Sequence, residues 1–252
     1  MNKISAVVTC FNSQKTIAKC IESLKIADEI IVLDSHSTDD TINILKQLNC
    51  IVHLQDFLGY SKQKQTAINL SNNDWVILLD SDEYLTTSAQ NALLEWKKSQ
   101  ANADAYRLYR QEWVFWKWSH KWVRMNKFVR LFDKSKANIS LDLVHESVKT
   151  SGKTLSINAI IKHYGDTSIA KKIEKINLYS QLAAQQKFNN GKNVFPLKLI
   201  FYPPFYFIKQ YLFRRQIFNG WAGLINAYLN SQYAFLKYAK LYELNKNKTE
   251  NK

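Results

Sequence analysis

Cysteine is scarce in this sequence of 252 residues, which contains only three of them. Cys10, Cys20 and Cys50 form neither a CxxC pair nor a spacing typical of metal ligands, so they indicate neither a disulfide framework nor a cysteine metal site. We therefore expect reduced cysteines that lie in the core of a cytosolic protein.

Long apolar runs are also missing. Residues 199–208 are apolar but are interrupted by Pro203 and Pro204, and this run is about half as long as the roughly twenty residues that span a bilayer. The N-terminal residues lack the ordered basic segment, apolar stretch and cleavage site of a signal peptide, so we expect the protein to stay on the side where it is made. Internal repeats and low-complexity linkers are absent as well.

Acidic residues are few in the later part of the chain. Residues 1–100 contain 9 Lys and Arg against 12 Asp and Glu, residues 101–194 contain 17 against 7, and residues 195–252 contain 9 against 2. The net charge of +14 thus comes from the later part, where many aromatic residues lie between the charges. This composition favours an anionic partner there, such as a phospholipid surface, a phosphorylated acceptor or a nucleic acid.

Within the first ninety or so residues, β-branched runs alternate with helical patterns. This order predicts an α/β fold with a doubly wound, mostly parallel sheet and right-handed crossovers. The predicted strands here are residues 4–10, 29–33, 51–54 and 75–79, and later strands are predicted at 105–113, 128–132 and 155–163. A long amphipathic helix is predicted over residues 168–188.

Residues 75–85 read WVILLDSDEYL, a buried strand that ends in acidic residues. Asp80 and Asp82 point the same way on an extended chain, and two carboxylates held so close indicate a divalent cation between them. An alternative is an acidic turn that opens the next helix, with Thr86 or Thr87 as its cap. Glu83 is expected to be a first-turn acid of that helix.

Four segments in the order VVTCFN, EIIVLDSHSTDDT, GYSKQKQTAINLSNNDWVILLDSDE and LVHES resemble the inverting family-2 glycosyltransferases, which have the GT-A fold. The resemblance covers about residues 3–165. It extends over nearly the whole chain for a subgroup with RLF, VHE and a C-terminal LKYAKL segment. That subgroup resembles the lipopolysaccharide-core β-glucosyltransferases of Gram-negative bacteria and their capsule and oligosaccharide relatives.

The resemblance implies a nucleotide-sugar donor, with UDP as the expected nucleotide, across the carboxyl edge of the sheet. Asp34 is then expected to hydrogen-bond the base, and Lys64 to lie near the diphosphate. The implied ligands of a divalent metal, Mn²⁺ or Mg²⁺, are Asp80 and Asp82. Apart from the resemblance, His163 is a possible contact to the metal or to phosphate, although a single histidine is more often structural. The implied donor-binding residues are Thr9, Phe11, Asn12, Asp34, Lys64, Asp80 and Ser81. Two departures leave the nucleotide open, namely DSHS at residues 34–37 in place of the frequent DDGS, and Gln65 in place of the usual Asn.

An inverting transfer needs a base that deprotonates the acceptor hydroxyl. Glu146 in LVHES is the candidate, because partial desolvation raises the pKa of a glutamate toward neutrality. The alternative for Glu146 is an ordinary strand-end acid paired with Lys or Arg. His145 is a further possible contact to metal or phosphate, although a single histidine is more often structural.

The stretch 113–130 is dense in Trp, Lys and Arg, and we expect it to hold the acceptor. Aromatic faces pack on sugar rings, and basic side chains bind phosphates. The predicted acceptor contacts are Trp116, Trp118, Trp122, Arg124 and Arg130. Single-stranded nucleic acid is a less favoured partner, because no RNA-binding signature is present and the acidic sheet edge would repel a polyanion.

The C-terminal segment 195–252 predicts an amphipathic, aromatic and basic helical extension, after a GT-A domain over 1–194 with a nucleotide-sugar half (1–100) and an acceptor half (101–194). Lys198, Lys209, Arg214 and Arg215 flank the aromatic residues, as in monotopic helices on anionic lipid. We therefore expect a peripheral protein on the inner face of the cytoplasmic membrane. The alternative is a helical hairpin that packs on its own domain or on a second subunit.

Together these features predict an enzyme, an inverting hexosyltransferase. It would move a sugar such as glucose from a UDP-linked donor to a lipid-linked or lipopolysaccharide-core acceptor and form a β-glycosidic bond. Two other classes stay open, a non-enzymatic basic adaptor at the membrane and a haloacid-dehalogenase-type phosphatase. The phosphatase is disfavoured because Tyr84 stands where Thr or Val normally follows the acidic pair.

Overall fold

The structure is a computed structural model that describes residues 1–140 and 147–250. Its strands are β1 (Ile4–Cys10), β2 (Glu29–Asp34), β3 (Ile51–Leu54), β4 (Trp75–Asp80), β5 (Glu83–Leu85), β6 (Ala105–Val114), β7 (Lys117–Trp118), β8 (Asn126–Asp133), β9 (Ala137–Ile139), β10 (Val148–Thr150) and β11 (Thr154–Asp166). Its helices are α1 (Ile17–Ser23), α2 (Thr41–Gln47), α3 (Tyr60–Asn69), α4 (Thr87–Lys98), α5 (Ile169–Asn189), α6 (Leu197–Ile208) and α7 (Trp221–Glu250). A π-helical turn (Lys209–Phe213) and a 3₁₀ turn (Gln216–Asn219) connect α6 to α7.

The main sheet has the strand order β3-β2-β1-β4-β8-β6-β11-β5, and β7 pairs with β6. The first four strands in this order run parallel to one another. β8 is antiparallel to β4, and β6 is antiparallel to β8. The predicted α/β fold is therefore confirmed, with its parallel strands in the N-terminal part of the chain.

The central strand β1 is buried on both faces, which explains its continuous apolar sequence. Alternate residues point to opposite sides, so Ala6 and Val8 pack in a cluster with Ile17 of α1, whereas Val7 packs in a cluster with Ala67 of α3. The thiols of Cys10 and Cys20 are free and buried, and burial raises the pKa of both well above the usual value. The expectation of reduced core cysteines fits both residues.

The segment after β4 differs from the expected helix start. β5 intervenes and pairs antiparallel with β11, with Glu83 opposite His163. α4 begins only at Thr87, and the backbone N–H of Ala89 donates to Thr86 Oγ1 at 3.2 Å. Thr86 is thus the helix cap, and the expectation that Glu83 is a first-turn helix acid is wrong because Glu83 lies in a strand.

The chain divides into two compact units, a sheet unit (residues 1–111 and 125–164) and a helical unit (residues 112–124 and 165–252). Within the helical unit, α5 and α7 share buried apolar contacts, including Ala184 with Leu241. The predicted division at residue 194 would separate these two helices, so the compact units have different limits from the predicted domains. Among the described helices, none combines the length and the apolar character needed to cross a bilayer.

Candidate active site

The ends of the parallel strands bring the candidate donor residues to one edge of the sheet unit. In the strand registers, Thr9 is opposite Asp80, and Cys10 is opposite Asp34. Lys64 lies on α3, the helix that precedes β4, and its ammonium group reaches Asp80. This edge, at the carboxyl ends of the strands, is where open α/β sheets bind ligands.

Asp80 is held between two cations. Its Oδ1 lies 2.6 Å from Lys64 Nζ, and its Oδ2 accepts a hydrogen bond from Arg130 Nη2 at 3.1 Å. Burial opposes ionisation, but the charges of Lys64 and Arg130 prevail and hold the pKa of Asp80 well below its usual range. Both carboxylate oxygens of Asp80 are therefore already occupied by protein cations.

Glu83 belongs to the same group of charged side chains as Asp80 and Arg130, and its side chain is completely buried. Its Oε1 accepts hydrogen bonds from Arg130 Nη2 at 2.6 Å and from Arg110 Nη1 at 3.1 Å, while the backbone N–H of Asp80 donates to Oε2 at 3.2 Å. Although burial opposes the charged form of Arg130, the carboxylates of Glu83 and Asp80 raise the pKa of Arg130 above its usual value. Arg130 thus links Glu83 to Asp80, and Asp80 in turn binds Lys64, so these side chains form one connected network of charges.

The second aspartate of the pair has a different environment. Asp82 Oδ2 lies 3.3 Å from His163 Nε2, and the side chain of Asp82 is 37% exposed. The backbone explains this contact, because Tyr164 N–H donates to the carbonyl oxygen of Asp82 at 2.9 Å beside the β5–β11 pairing. Asp82 and His163 therefore form an accessible pair of one carboxylate and one imidazole.

This pair fits a divalent cation. Carboxylate oxygen suits Mg²⁺ and Mn²⁺, and imidazole nitrogen is a common ligand of transition metals. Over residues 1–140 and 147–250, no group of three or more His, Cys, Asp and Glu gathers around one point. One carboxylate and one imidazole fit a site in which the phosphates of a substrate supply further ligands, as is typical of Mg²⁺. Asp80 fits less well as a ligand, because Lys64 and Arg130 occupy its oxygens.

The loops after β1 and β2 are tied together by Asp34, whose side chain is buried. Asp34 Oδ1 accepts the N–H of Ser37 at 2.7 Å, and Asp34 Oδ2 accepts the Ser37 hydroxyl and the thiol of Cys10. His36 has a φ of 61°, so it adopts the left-handed conformation at the position where the family frequently has Gly. Although DSHS at residues 34–37 differs from the frequent DDGS, the backbone at His36 thus adopts a conformation that Gly favours.

The remaining donor candidates lie in these loops. Asn12 has a φ of 47°, and its Oδ1 accepts the N–H of Thr38 at 2.8 Å. The hydroxyl of Ser81 is 2.8 Å from that of Ser13. Phe11 is 57% exposed, so its ring is available to a ligand. The structure therefore places the predicted donor residues at or near one edge, whereas their roles toward a donor stay predictions.

The candidate acceptor residues fall into two groups. Trp116, Trp122 and Arg124 are exposed in the helical unit, and Trp118 packs edge-to-face on Trp113 with ring centroids 5.2 Å apart. Arg130 belongs to the sheet unit and is only 6% exposed. The structure corrects its placement, because its guanidinium is turned toward Asp80 and Glu83 and away from solvent.

Glu146 and His145 lie outside the described residues, so the candidate base stays a prediction from the sequence. The residues missed by the sequence reasoning are Glu83, as an anchor, and Arg110. The sequence could have indicated both residues, because each is a charged residue within a strand, and a charge buried there needs a partner of opposite charge.

Comparisons with known proteins give a family and several relatives for this chain. The model of the family "Glycosyl transferase family 2" matches residues 5–165. An uncharacterized glycosyltransferase of Rickettsia typhi is 34% identical over 97% of this chain and 88% of its own length. The lipopolysaccharide core biosynthesis glycosyltransferase LpsC of Rhizobium meliloti is 30% identical over 95% of this chain and 92% of its own length. Residues 1–349 of S. aureus TarS superpose with a TM-score of 0.45 at 15% identity, over 92% of this chain and 91% of that one.

The α/β sheet, with four parallel strands extended by antiparallel ones, has the GT-A fold. The chain belongs to glycosyltransferase family 2, and it is a glycosyltransferase. The predicted family, fold and enzyme class are therefore confirmed.

Proposed function

We propose that the protein transfers a hexose such as glucose, with inversion, from a UDP-linked donor to a lipid-linked or lipopolysaccharide-core acceptor, and that it forms a β-glycosidic bond. The observation that carries the proposal is the Asp82–His163 contact of 3.3 Å at the sheet edge, next to the cations Lys64 and Arg130. The similarity to a lipopolysaccharide core glycosyltransferase over nearly the whole length supports the acceptor class.

The proposed roles of the residues around the donor diphosphate follow from their charges. Lys64 and Arg130 compensate the negative diphosphate, and Asp82 with His163 holds a divalent cation, Mn²⁺ or Mg²⁺. When bound, this cation takes up the negative charge that develops on the leaving diphosphate. Asp80 then acts mainly by orienting Lys64 and Arg130, because its oxygens bind them.

On the nucleotide side, we assign the base and ribose to the loops that Asp34 organises. Exposed Phe11 offers a ring face, and Asn12 and Ser81 place polar groups beside it. Asp34 is buried and bonded to its own loop, so its first role is to shape that loop. Thr9, opposite Asp80 in the sheet, lies where the nucleotide would approach the acidic pair.

Glu146 is the proposed general base. Glu146→Gln should lower transfer by about 100- to 10,000-fold, which is the usual contribution of general base catalysis. Binding of UDP with Mn²⁺, measured by calorimetry, should stay unchanged, because the amide keeps the size of the side chain. Glu174→Gln on the exposed side of α5 is the matched control.

A Glu146→Gln protein with full turnover would remove Glu146 from the mechanism. Release of phosphate together with a covalent aspartyl-phosphate, instead of sugar transfer, would favour the phosphatase class. A complete lack of metal-dependent UDP binding in the wild-type protein would favour the adaptor.

We further propose that the helical unit docks on the inner face of the cytoplasmic membrane. No residue of α6 is buried, and large apolar side chains project from it and from its neighbours, among them Phe195 (81% exposed) and Trp221 (76% exposed). The helical unit carries 17 Lys and Arg against 5 Asp and Glu. An exposed aromatic surface in a basic unit suits anionic lipid headgroups.

Phe201→Ser with Phe205→Ser should reduce sedimentation with phosphatidylglycerol vesicles by about tenfold or more, since each buried Phe contributes roughly 1.5–3 kcal/mol. The two rings are 69% and 58% exposed, so the fold should tolerate the change. Point variants are preferable to deletion of residues after 195, because α7 packs on α5.

The control is Ile51→Ser with Leu54→Ser, two exposed apolar residues of the sheet unit. Equal vesicle binding by both variants and the wild-type protein would show that the surface of α6 does not bind the membrane.

A further inference from the structure

Three lysines of the helical unit converge on one tyrosine. Lys187 comes from α5, Lys198 from α6 and Lys237 from α7. Their Nζ atoms lie 5.9, 4.3 and 4.9 Å from the ring centroid of Tyr238, respectively. Three cations from three different helices therefore surround a single aromatic ring.

In the part of the chain that the structure describes, none of these three lysines forms an ion pair with a carboxylate. Burial, together with the charges of Lys187 and Lys198, lowers the pKa of Lys237. The three ammonium groups thus repel one another, and the attraction of each to the ring, roughly 0.5–1 kcal/mol at exposed sites, compensates only partly.

A neutral phenol lies beside the cluster. Tyr202 of α6 packs edge-to-face on Tyr238 with centroids 5.3 Å apart, and burial raises the pKa of Tyr202, so it stays a neutral phenol at physiological pH. Phenol hydroxyls donate hydrogen bonds to anions. The surroundings of the cluster therefore suit a small anion with several acceptor oxygens.

We propose that Lys187, Lys198 and Lys237 bind a phosphate group at the junction of α5, α6 and α7. Ammonium groups are common ligands of phosphate, and the negative charge of a bound phosphate would offset their mutual repulsion. The phosphate belongs either to a lipid headgroup or to a soluble molecule. This site is separate from the residues assigned to sugar transfer, and it does not depend on that assignment.

The test is lysine acylation with acetic anhydride, mapped by mass spectrometry on the intact wild-type protein. Inorganic phosphate should slow acylation of Lys187, Lys198 and Lys237 by about tenfold when the site is mostly occupied, relative to chloride at equal ionic strength. Lys171, Lys192 and Lys246 are exposed lysines of the same unit and serve as internal controls, whose rates should not change. The acylation rate is measured for each lysine separately, because phosphate is also expected to bind at the sheet edge.

A second arm replaces phosphate by phosphatidylglycerol vesicles. Protection by vesicles alone identifies a lipid headgroup, and protection by both probes identifies a site for phosphate from either source. The triple Lys→Gln variant of the cluster should bind these vesicles more weakly than the wild-type protein, whereas the triple Lys→Gln variant of the three control lysines, which removes the same charge, should bind them as strongly as the wild-type protein. Equal protection of all six lysines, or no protection of the cluster, overturns the proposal.

Discussion

Asp82→Asn should lower turnover by about 1,000-fold. A bound divalent cation stabilises the charge of the transition state by several kcal/mol, and each ~1.4 kcal/mol changes the rate tenfold. Asparagine keeps the size of Asp82 but removes the charge that faces His163 at 3.3 Å. The affinity for Mn²⁺ in the presence of UDP, measured by calorimetry, should fall along with turnover.

Asp74→Asn is the matched control, because Asp74 is an exposed aspartate next to the opposite end of β4. It should leave both turnover and Mn²⁺ affinity unchanged. Asp80→Asn separates the two aspartates, since we expect it to reduce donor affinity more than metal affinity. Wild-type turnover and Mn²⁺ affinity in Asp82→Asn would refute the assignment of the metal to Asp82.

Glu83→Gln should destabilise the protein by about 3–5 kcal/mol, the usual effect of removing one partner from a buried ion pair. Glu83 is fully buried and binds Arg130 at 2.6 Å and Arg110 at 3.1 Å. The amide removes the carboxylate that the buried guanidinium of Arg130 and the half-buried guanidinium of Arg110 share. Urea unfolding at neutral pH measures the free energy of unfolding directly.

The control for stability is Glu95→Gln. Glu95 pairs with Lys98 at 2.8 Å, but the two side chains are 73% and 60% exposed, so the change should stay within about 1 kcal/mol.

In the fraction of Glu83→Gln that folds, KM for the donor should rise more than kcat falls, since Arg130 and Asp80 lose their common anchor. Glu83→Gln with unchanged stability and unchanged KM would show that Glu83 neither anchors nor positions this network.

The position of the candidate donor residues at one sheet edge was predictable from the sequence because it depends on local order. A strand followed by a polar turn places its last residues at the carboxyl edge, and parallel neighbours place theirs at the same edge. Thr9, Asp34 and Asp80 are each the last or the second-last residue of such a strand, so their proximity follows from topology alone. Lys64 required one further assumption, that the helix before β4 packs against this edge.

The contacts of Glu83 and His163, in contrast, could not be predicted from local sequence order. They depend on the antiparallel pairing of β5 with β11, two strands separated by almost seventy residues. A short acidic run before a helix looks like a helix start, so the sequence pattern favoured the wrong role for Glu83. Arg130 was assigned to the acceptor because it follows a Trp-rich stretch, yet β8 carries it back beside β4.

The amino-acid sequence by itself determined the α/β fold, the family and the edge where the donor is expected, because hydrophobic periodicity and strand-end residues are local properties. Only the tertiary structure decided which charges meet. It separated Asp80, held by Lys64 and Arg130, from Asp82, paired with His163. It also gathered three lysines around Tyr238. The physical reason is that electrostatic partners are chosen by distance in space, and long-range strand and helix packing sets that distance.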